Sequence, residues 1–323
     1  MHEIKDPQLA MALDGFNQVV PDGIQLDDIP AARVFMGELF AAMAAQAPEI
    51  PGVITSDHEA PGPDGDPPVP VRVYQPEDRP ETLPALLWLH GGGYVMGSVD
   101  NDDLRAKGLV FANNCVVASV EYRLAPEHPF PAPVEDAYAA LKWLSENAEQ
   151  FGIDPQRIAI GGASAGGGLA AGLGLLARDR GEVDVAYQLL IYPMLDDRNV
   201  DQAEDGRPDT HIWSRANNLA GWRAYLGEEP GGADVSPYAA AARAADLSGL
   251  PPTYIMVGTP DLFLAENFDY AQRLMAAGVP TEFHVYSDGF HGFDDLAPLA
   301  GVTQRCVAGQ TAALSSALHE GIN

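Results

Sequence analysis

Two glycine-rich segments carry the residue types that acyl transfer needs. His90-Gly91-Gly92-Gly93 closes the apolar run Pro84-Ala85-Leu86-Leu87-Trp88-Leu89. Glycines at such a turn leave the backbone free to aim N–H groups at an anion. Gly162-Ala163-Ser164-Ala165-Gly166 closes a second run, Arg157-Ile158-Ala159-Ile160. A G-x-S-x-G sequence after a strand reads as a nucleophile elbow, a serine on a turn too sharp for larger neighbours. An attacking oxygen and a place for the oxyanion it creates are the two requirements of the reaction. Either motif alone is weak. The glycines between 161 and 168 would also suit close helix packing, and a glycine turn would also bind phosphate. Their strand-end context, and their order with the turn before the elbow, favour acyl transfer.

Serine at its free pKa is a poor nucleophile, so a base and an orienting acid are required. The chain order for an elbow of this kind is Ser, acid, His. Of the 8 histidines, His128 falls in the turn-like Pro126-Glu127-His128-Pro129. His284 lies within the strand-like run 281–286 and is expected to point into the core or toward a helix. His291, in Gly289-Phe290-His291-Gly292-Phe293, follows that run on a loop that reaches over strand ends, which makes it the base. Two acids compete. Asp261 follows the run Thr253 to Gly258, beside the His291 loop, and is preferred. Asp196 follows the run Tyr187 to Tyr192 and is expected to anchor a later insertion.

These side chains need a scaffold. Strand-like runs occur at 71–75, 84–89, 115–121, 157–161, 186–192, 253–258 and 281–286, and helical patterns at 133–149, 165–180, 264–277 and 302–319. That alternation predicts an α/β fold with a mostly parallel sheet covered by helices on both faces. Ligands of such sheets sit at the carboxyl ends of the strands, where His90, Ser164, Asp261 and His291 all fall. Residues 1–50 read as helical, and Ala60 to Pro70 reads as a Pro/Gly/Asp linker. Between Leu195 and Pro237 no strand pattern appears, and Trp213, Trp222 and Tyr225 cluster in helical text. Aromatics at that density need something to cover. The expected organisation is an N-terminal cap segment (1–50), a first core part (51–194), a cap insertion (195–236) and a second core part (237–323). Tyr94, Trp213 and Trp222 are candidates for contact with substrate.

Composition narrows the partners. Lys plus Arg number 18 against 46 Asp plus Glu, a formal charge of −28, which disfavours nucleic acid and anionic membrane surfaces. Only Lys5, Lys107 and Lys142 are lysines. The surplus of carboxylates fits either adaptation to salt or an ordinary acidic surface balanced by arginine pairs. Two cysteines form neither a disulfide framework nor a metal cluster, and Cys115 reads as a small core residue. No apolar run approaches the ~20 residues that span a bilayer, and Met1 to Asp14 has no signal-peptide core. The expectation is a cytoplasmic protein with no cofactor and no bound metal, acting on a small molecule. A homodimer is left open.

The motifs together resemble the hormone-sensitive-lipase-like esterases (bacterial family IV) of the α/β-hydrolases. The matching pieces are His90–Gly93, Tyr122-Arg123-Leu124-Ala125-Pro126-Glu127, the Ser164 elbow with Gly166-Gly167, Tyr192-Pro193, Asp261 with Glu266, and His291-Gly292-Phe293. The resemblance implies the α/β-hydrolase fold with a helical cap built from the N-terminal segment and the insertion. It implies Ser164 as nucleophile, His291 as base, Asp261 as its orienter, and an oxyanion hole from the N–H groups of Gly92, Gly93 and Ala165. The implied activity is carboxylester hydrolysis on short-to-medium acyl chains through an acyl-enzyme. An amidase or formamidase, and a non-catalytic small-molecule binder on the same fold, are the alternatives; retention of Ser164, Asp261 and His291 weighs against the binder. Two departures stand out. Ala163 occupies a position that is usually Asp or Thr in the family, and Leu262-Phe263-Leu264-Ala265 is more apolar than the common charged version.

Overall fold

The computed structural model describes residues 3–63, 65–79, 82–200 and 211–320. Eight strands of these residues form one sheet: β1 (Val53–Ala60), β2 (Val69–Pro76), β3 (Leu83–Leu89), β4 (Val116–Val120), β5 (Ile153–Ala163), β6 (Tyr187–Ile191), β7 (Thr253–Gly258) and β8 (Thr281–Tyr286). Their order is β1-β2-β4-β3-β5-β6-β7-β8. β2 runs antiparallel to both β1 and β4, and every later pairing is parallel. A parallel strand covered on both faces must be apolar throughout. β3, Leu-Pro-Ala-Leu-Leu-Trp-Leu, is buried along its whole length. Alternate residues feed two cores: Ala85, Leu87 and Leu89 pack on one face, Leu86 and Trp88 on the other.

Each run expected from the sequence is a strand, the last two with the expected bounds and the others with ends shifted by one to a few residues. β1 is an addition. It falls just before the expected linker, whose residues 61–68 form the β1–β2 connection and whose end begins β2. Its text, Val-Ile-Thr-Ser-Asp-His-Glu-Ala, has no apolar alternation because it is an exposed edge held by backbone pairing to β2. His284 also departs from expectation. It lies on the edge strand β8 with its side chain 40% exposed, bonded to Glu282 at 3.2 Å and stacked on Tyr254.

Helices cover both faces: α1 (Pro7–Val19), α2 (Ile29–Ala44), α3 (Asp103–Asn113), α4 (Ala132–Glu146), α5 (Ala165–Arg180), α6 (Arg215–Leu226), α7 (Leu264–Ala276), α8 (Phe293–Leu296) and α9 (Gly301–Ser315). Asp6 and Asp28 cap α1 and α2 by accepting backbone N–H groups, each with a proline in the first turn. α1 buries Leu9 and Leu13 in one core; α2 buries Ala32 and Met36 in the other. Among the described residues no helix is long and apolar enough to cross a membrane. Cys115 and Cys306 are buried free thiols.

The helix of the insertion, α6, starts from Ser214, whose hydroxyl accepts the Asn217 N–H, and ends at Gly227 in the left-handed conformation. Residues 201–210 of the expected cap insertion lie outside the described residues. The start of the insertion is pinned by buried carboxylates. Asp197, fully buried, takes two hydrogen bonds from Arg243 at 2.7 Å and one from the Gly231 N–H at 2.6 Å. Glu266 of α7 accepts the Leu195 N–H at 2.7 Å and the Asn199 amide at 2.7 Å. Burial pushes the Glu266 carboxyl well above the usual range despite those donors. Asp196, expected to be the anchor, meets Arg198, two residues on, through its side chain among the described residues.

The β5–α5 turn needs small residues on both sides of Ser164. A Cβ on Gly166 would stand 2.1 Å from the Leu89 carbonyl oxygen and 2.3 Å from that of His90. A Cβ on Gly162 would meet the Gly166 backbone at 2.4 Å. Gly166→Ala therefore has to push β3 and α5 apart. The expected cost is about 1–3 kcal/mol or more, read as a lower urea midpoint, and wild-type stability would contradict the packing described.

Surface charge yields a second expectation. Arginines meet carboxylates, as Arg72 meets Asp57 and Asp100, Arg123 meets Asp66 and Asp136, and Arg180 meets Glu135. With 46 acids against 18 bases, 28 carboxylates still exceed the cations. Exposed pairs contribute only about 0–1 kcal/mol each, so screening should relieve more repulsion than it removes attraction. Tm should rise as NaCl goes from near zero to about 1 M, where the Debye length is ~3 Å. A flat or falling Tm would mean that the pairs already balance the surface.

Candidate active site

Four strand ends converge on one point. β3 leads into the turn His90–Gly93, β5 into Ser164, β7 into Asp261 and β8 into His291. Ser164 sits at φ 59°, ψ −122°, a left-handed conformation that L-residues rarely adopt and that lifts its side chain off the turn. Its N–H donates to the Ile191 carbonyl, and its own carbonyl accepts from Gly168 and Met194. The strained turn is thus held by both neighbouring elements.

His291 bridges the other two side chains. Its Nε2 lies 2.8 Å from Ser164 Oγ and its Nδ1 lies 2.9 Å from Asp261 Oδ2. Asp261 is completed by the Phe263 N–H, which donates to Oδ1 at 2.9 Å. All three residues are buried. The imidazole packs between Tyr192, tilted at 4.7 Å, and Phe263, edge-on at 5.1 Å. The apolar text after Asp261 thereby supplies a wall for His291. Asp196 is not brought to the imidazole, since both ring nitrogens are occupied and Asp196 faces Arg198.

The loop carrying His291 is tied down from below. Asp294, three residues on, accepts the Tyr192 hydroxyl at 2.7 Å and an Arg105 N–H at 3.0 Å. Burial and the charge of Asp294 push the Tyr192 hydroxyl well above its ordinary pKa, so it stays a donor. Sequence reading missed this pair because Arg105 and Asp294 are far apart in the chain and match no motif.

The glycine turn lies beside the serine. A Cβ on Gly91 would stand 3.4 Å from the Ser164 Cβ. Gly92 and Gly93 have φ of 122° and 63°, and the Val95 and Met96 N–H groups bond the Gly92 carbonyl. His90 stacks on Tyr122 at 4.2 Å, and the Tyr122 hydroxyl donates to the His90 carbonyl. Ala165 opens α5, where a helix gives its N–H no acceptor. A hydroxyl, an imidazole and a carboxylate in one hydrogen-bonded line beside a glycine turn are the groups that can take a carbonyl carbon through a tetrahedral adduct.

The aromatic candidates divide. Trp213 lies on the turn: its Cη2 would be 2.1 Å from a Cβ placed on Gly93. Trp222 and Tyr94 are fully buried and do not line open space. Tyr94 stacks on Tyr225 at 3.9 Å and donates to the Met194 carbonyl, while Trp222 fills the gap beside both. They form the seam between α6 and the core, a packing role in place of the expected substrate contact. Ala163, where the family usually has Asp or Thr, packs in the apolar core with Leu86 and Trp88.

The chain is similar to known proteins over most of its length. Residues 86–295 match a family profile described as the alpha/beta hydrolase fold. Carboxylesterase NlhH of Mycobacterium tuberculosis is 35% identical over 322 residues, covering 97% of this chain and 96% of its own. The structure of a bacterial heroin esterase superposes with a TM-score of 0.92 at 43% identity, covering 98% of each chain. Arylacetamide deacetylase of Oryctolagus cuniculus is 30% identical, covering 69% of this chain and 72% of its own. The chain belongs to the hormone-sensitive-lipase-like esterases of the α/β-hydrolase fold, a family of carboxylic ester hydrolases.

Proposed function

We propose that this protein is a serine carboxylesterase for short-to-medium acyl esters. The observation that carries the reading is the continuous line from Ser164 Oγ through His291 to Asp261, at 2.8 and 2.9 Å. Ser164 Oγ attacks the ester carbonyl as His291 Nε2 takes its proton. Asp261 keeps its charge and holds Nδ1–H in place, fixing the tautomer and stabilising the imidazolium. The carbonyl oxygen, now an oxyanion, is received by the N–H groups of Gly92, Gly93 and Ala165. The C–O bond to the alcohol breaks as His291 returns the proton to the leaving oxygen. Water then attacks the acyl-enzyme by the same route in reverse, releasing the acid and restoring Ser164.

Residues 1–50 and 195–236 act as the cap in this reading, and Trp213 is the acyl-pocket wall. The placement of its ring on Gly93, beside the glycine turn, supports that role. An amidase reading shares every residue. A deacetylase of arylacetamides among the relatives keeps it in view, and paired acetate ester and acetanilide substrates separate the two.

Ser164→Ala is expected to lower kcat by about 10⁶ with the fold retained by circular dichroism. Asp261→Asn is expected to lower it by roughly 10⁴, and Asp196→Asn to leave it near wild type. Near-normal turnover in Ser164→Ala, or the two aspartates in the opposite order, would overturn the mechanism.

Chain-length profiles test the wall. Trp213→Ala should shift relative kcat/KM toward longer acyl groups, since a methylene in an apolar pocket is worth ~1–3 kcal/mol. Trp222→Ala should leave the profile unchanged while costing about 3–5 kcal/mol of stability. An unshifted profile in Trp213→Ala, measured on p-nitrophenyl esters of graded length, would remove this residue from the pocket.

A further inference from the structure

Arg33 lies on α2 and reaches across to the core. Its Nε donates to the Val95 carbonyl at 2.5 Å, and its Nη2 to the Ala125 carbonyl at 2.7 Å. The remaining edge of the guanidinium meets Glu127 as a fork, Nη1 to Oε1 at 2.8 Å and Nη2 to Oε2 at 2.7 Å. Val95 is not a neutral attachment point. Its N–H closes the turn on the Gly92 carbonyl, and the preceding Tyr94 carbonyl accepts the Ala125 N–H at 3.0 Å. The strip Gly92–Met96 is therefore laid against Ala125, and one guanidinium binds a carbonyl on each side of the junction. The side chain is only 25% exposed, so water competes weakly for those carbonyls.

Gly92 and Gly93 have no side chains to fix them, and both sit at positive φ. What holds their N–H groups in one direction must come from around them. Trp213 and Gly221 press on Gly93 from the insertion side. Arg33 holds the far end of the strip from the N-terminal side. A planar fork is needed for this, because a lysine ammonium cannot bind two carbonyls and a carboxylate in one plane. Misplacement of a preorganised donor by even ~1 Å removes much of its effect on a developing charge, on the order of 10² in rate.

We propose that Arg33 is a positioning residue for the oxyanion hole, through which the N-terminal segment sets the catalytic rate rather than only the fit of substrate. The inference rests on Gly92 and Gly93 being the oxyanion donors. Arg33→Ala and Arg33→Lys are each to be assayed on p-nitrophenyl acetate and titrated with a trifluoromethyl ketone, which forms a tetrahedral adduct on Ser164. The expected result is a loss in kcat of about 10- to 100-fold with KM within about twofold, and a parallel loss in ketone affinity. Added guanidinium ion should restore part of the kcat of Arg33→Ala, and Glu127→Gln, which leaves both carbonyl bonds in place, should lose less than either variant. If Arg33→Ala fails to fold, Arg33→Lys carries the comparison. Unchanged kcat in a folded variant, or a rise in KM alone, overturns the proposal. A wild type that the ketone does not inhibit would instead overturn the oxyanion-hole reading beneath it.

Discussion

One imidazole has to reach two partners at once, and the architecture follows from that constraint. His291 sits 2.8 Å from a hydroxyl on one strand end and 2.9 Å from a carboxylate on another. Those partners are 127 and 30 residues away in sequence. Only a sheet with parallel neighbouring strands β5, β6, β7 and β8 presents their carboxyl ends along one edge. The buried backbone of β5 through β7 fixes the spacing, and short loops carry the side chains the remaining distance. The Tyr192 and Phe263 rings then exclude water from the imidazole, which strengthens both hydrogen bonds.

The polar groups that hold the loops are buried and paired. Asp294 with Arg105 secures the His291 loop, and Asp197 with Arg243 secures the start of the insertion. Such pairs add little net stability over apolar packing, but losing one partner strands a buried charge at a cost of about 3–5 kcal/mol. Their value here is geometric. They tie the His291 loop and the start of the insertion to fixed points of the core, where fractions of an ångström matter to the reaction.

Sequence legibility followed the physics of burial. β3, β4, β6 and β7 are buried on both faces and mostly apolar, so they stand out as near-continuous runs. β1 is an exposed edge whose stability comes from backbone hydrogen bonds, and these leave no mark on residue type. α3 buries only Ala106, Val110 and Asn113, too narrow a stripe to read as a period. Ser164, His291 and Asp261 were legible because each follows a readable strand. Arg33 was not, because it bonds backbone carbonyls 62 and 92 residues away. Trp222 was legible as an aromatic needing cover, yet the sequence does not say whether core or substrate covers it; the answer is the core.

The role of Ser164 as an activated nucleophile in a preorganised acyl-transfer site is tested most directly by treating the intact protein with a p-nitrophenyl alkylphosphonate and mapping the adduct by peptide mass spectrometry. An activated Ser164 gives one adduct per chain, carried by the peptide containing Ser164, with release of p-nitrophenolate in step with loss of esterase activity. An unmodified Ser164 in inactivated protein, or an adduct on another residue, would contradict that role.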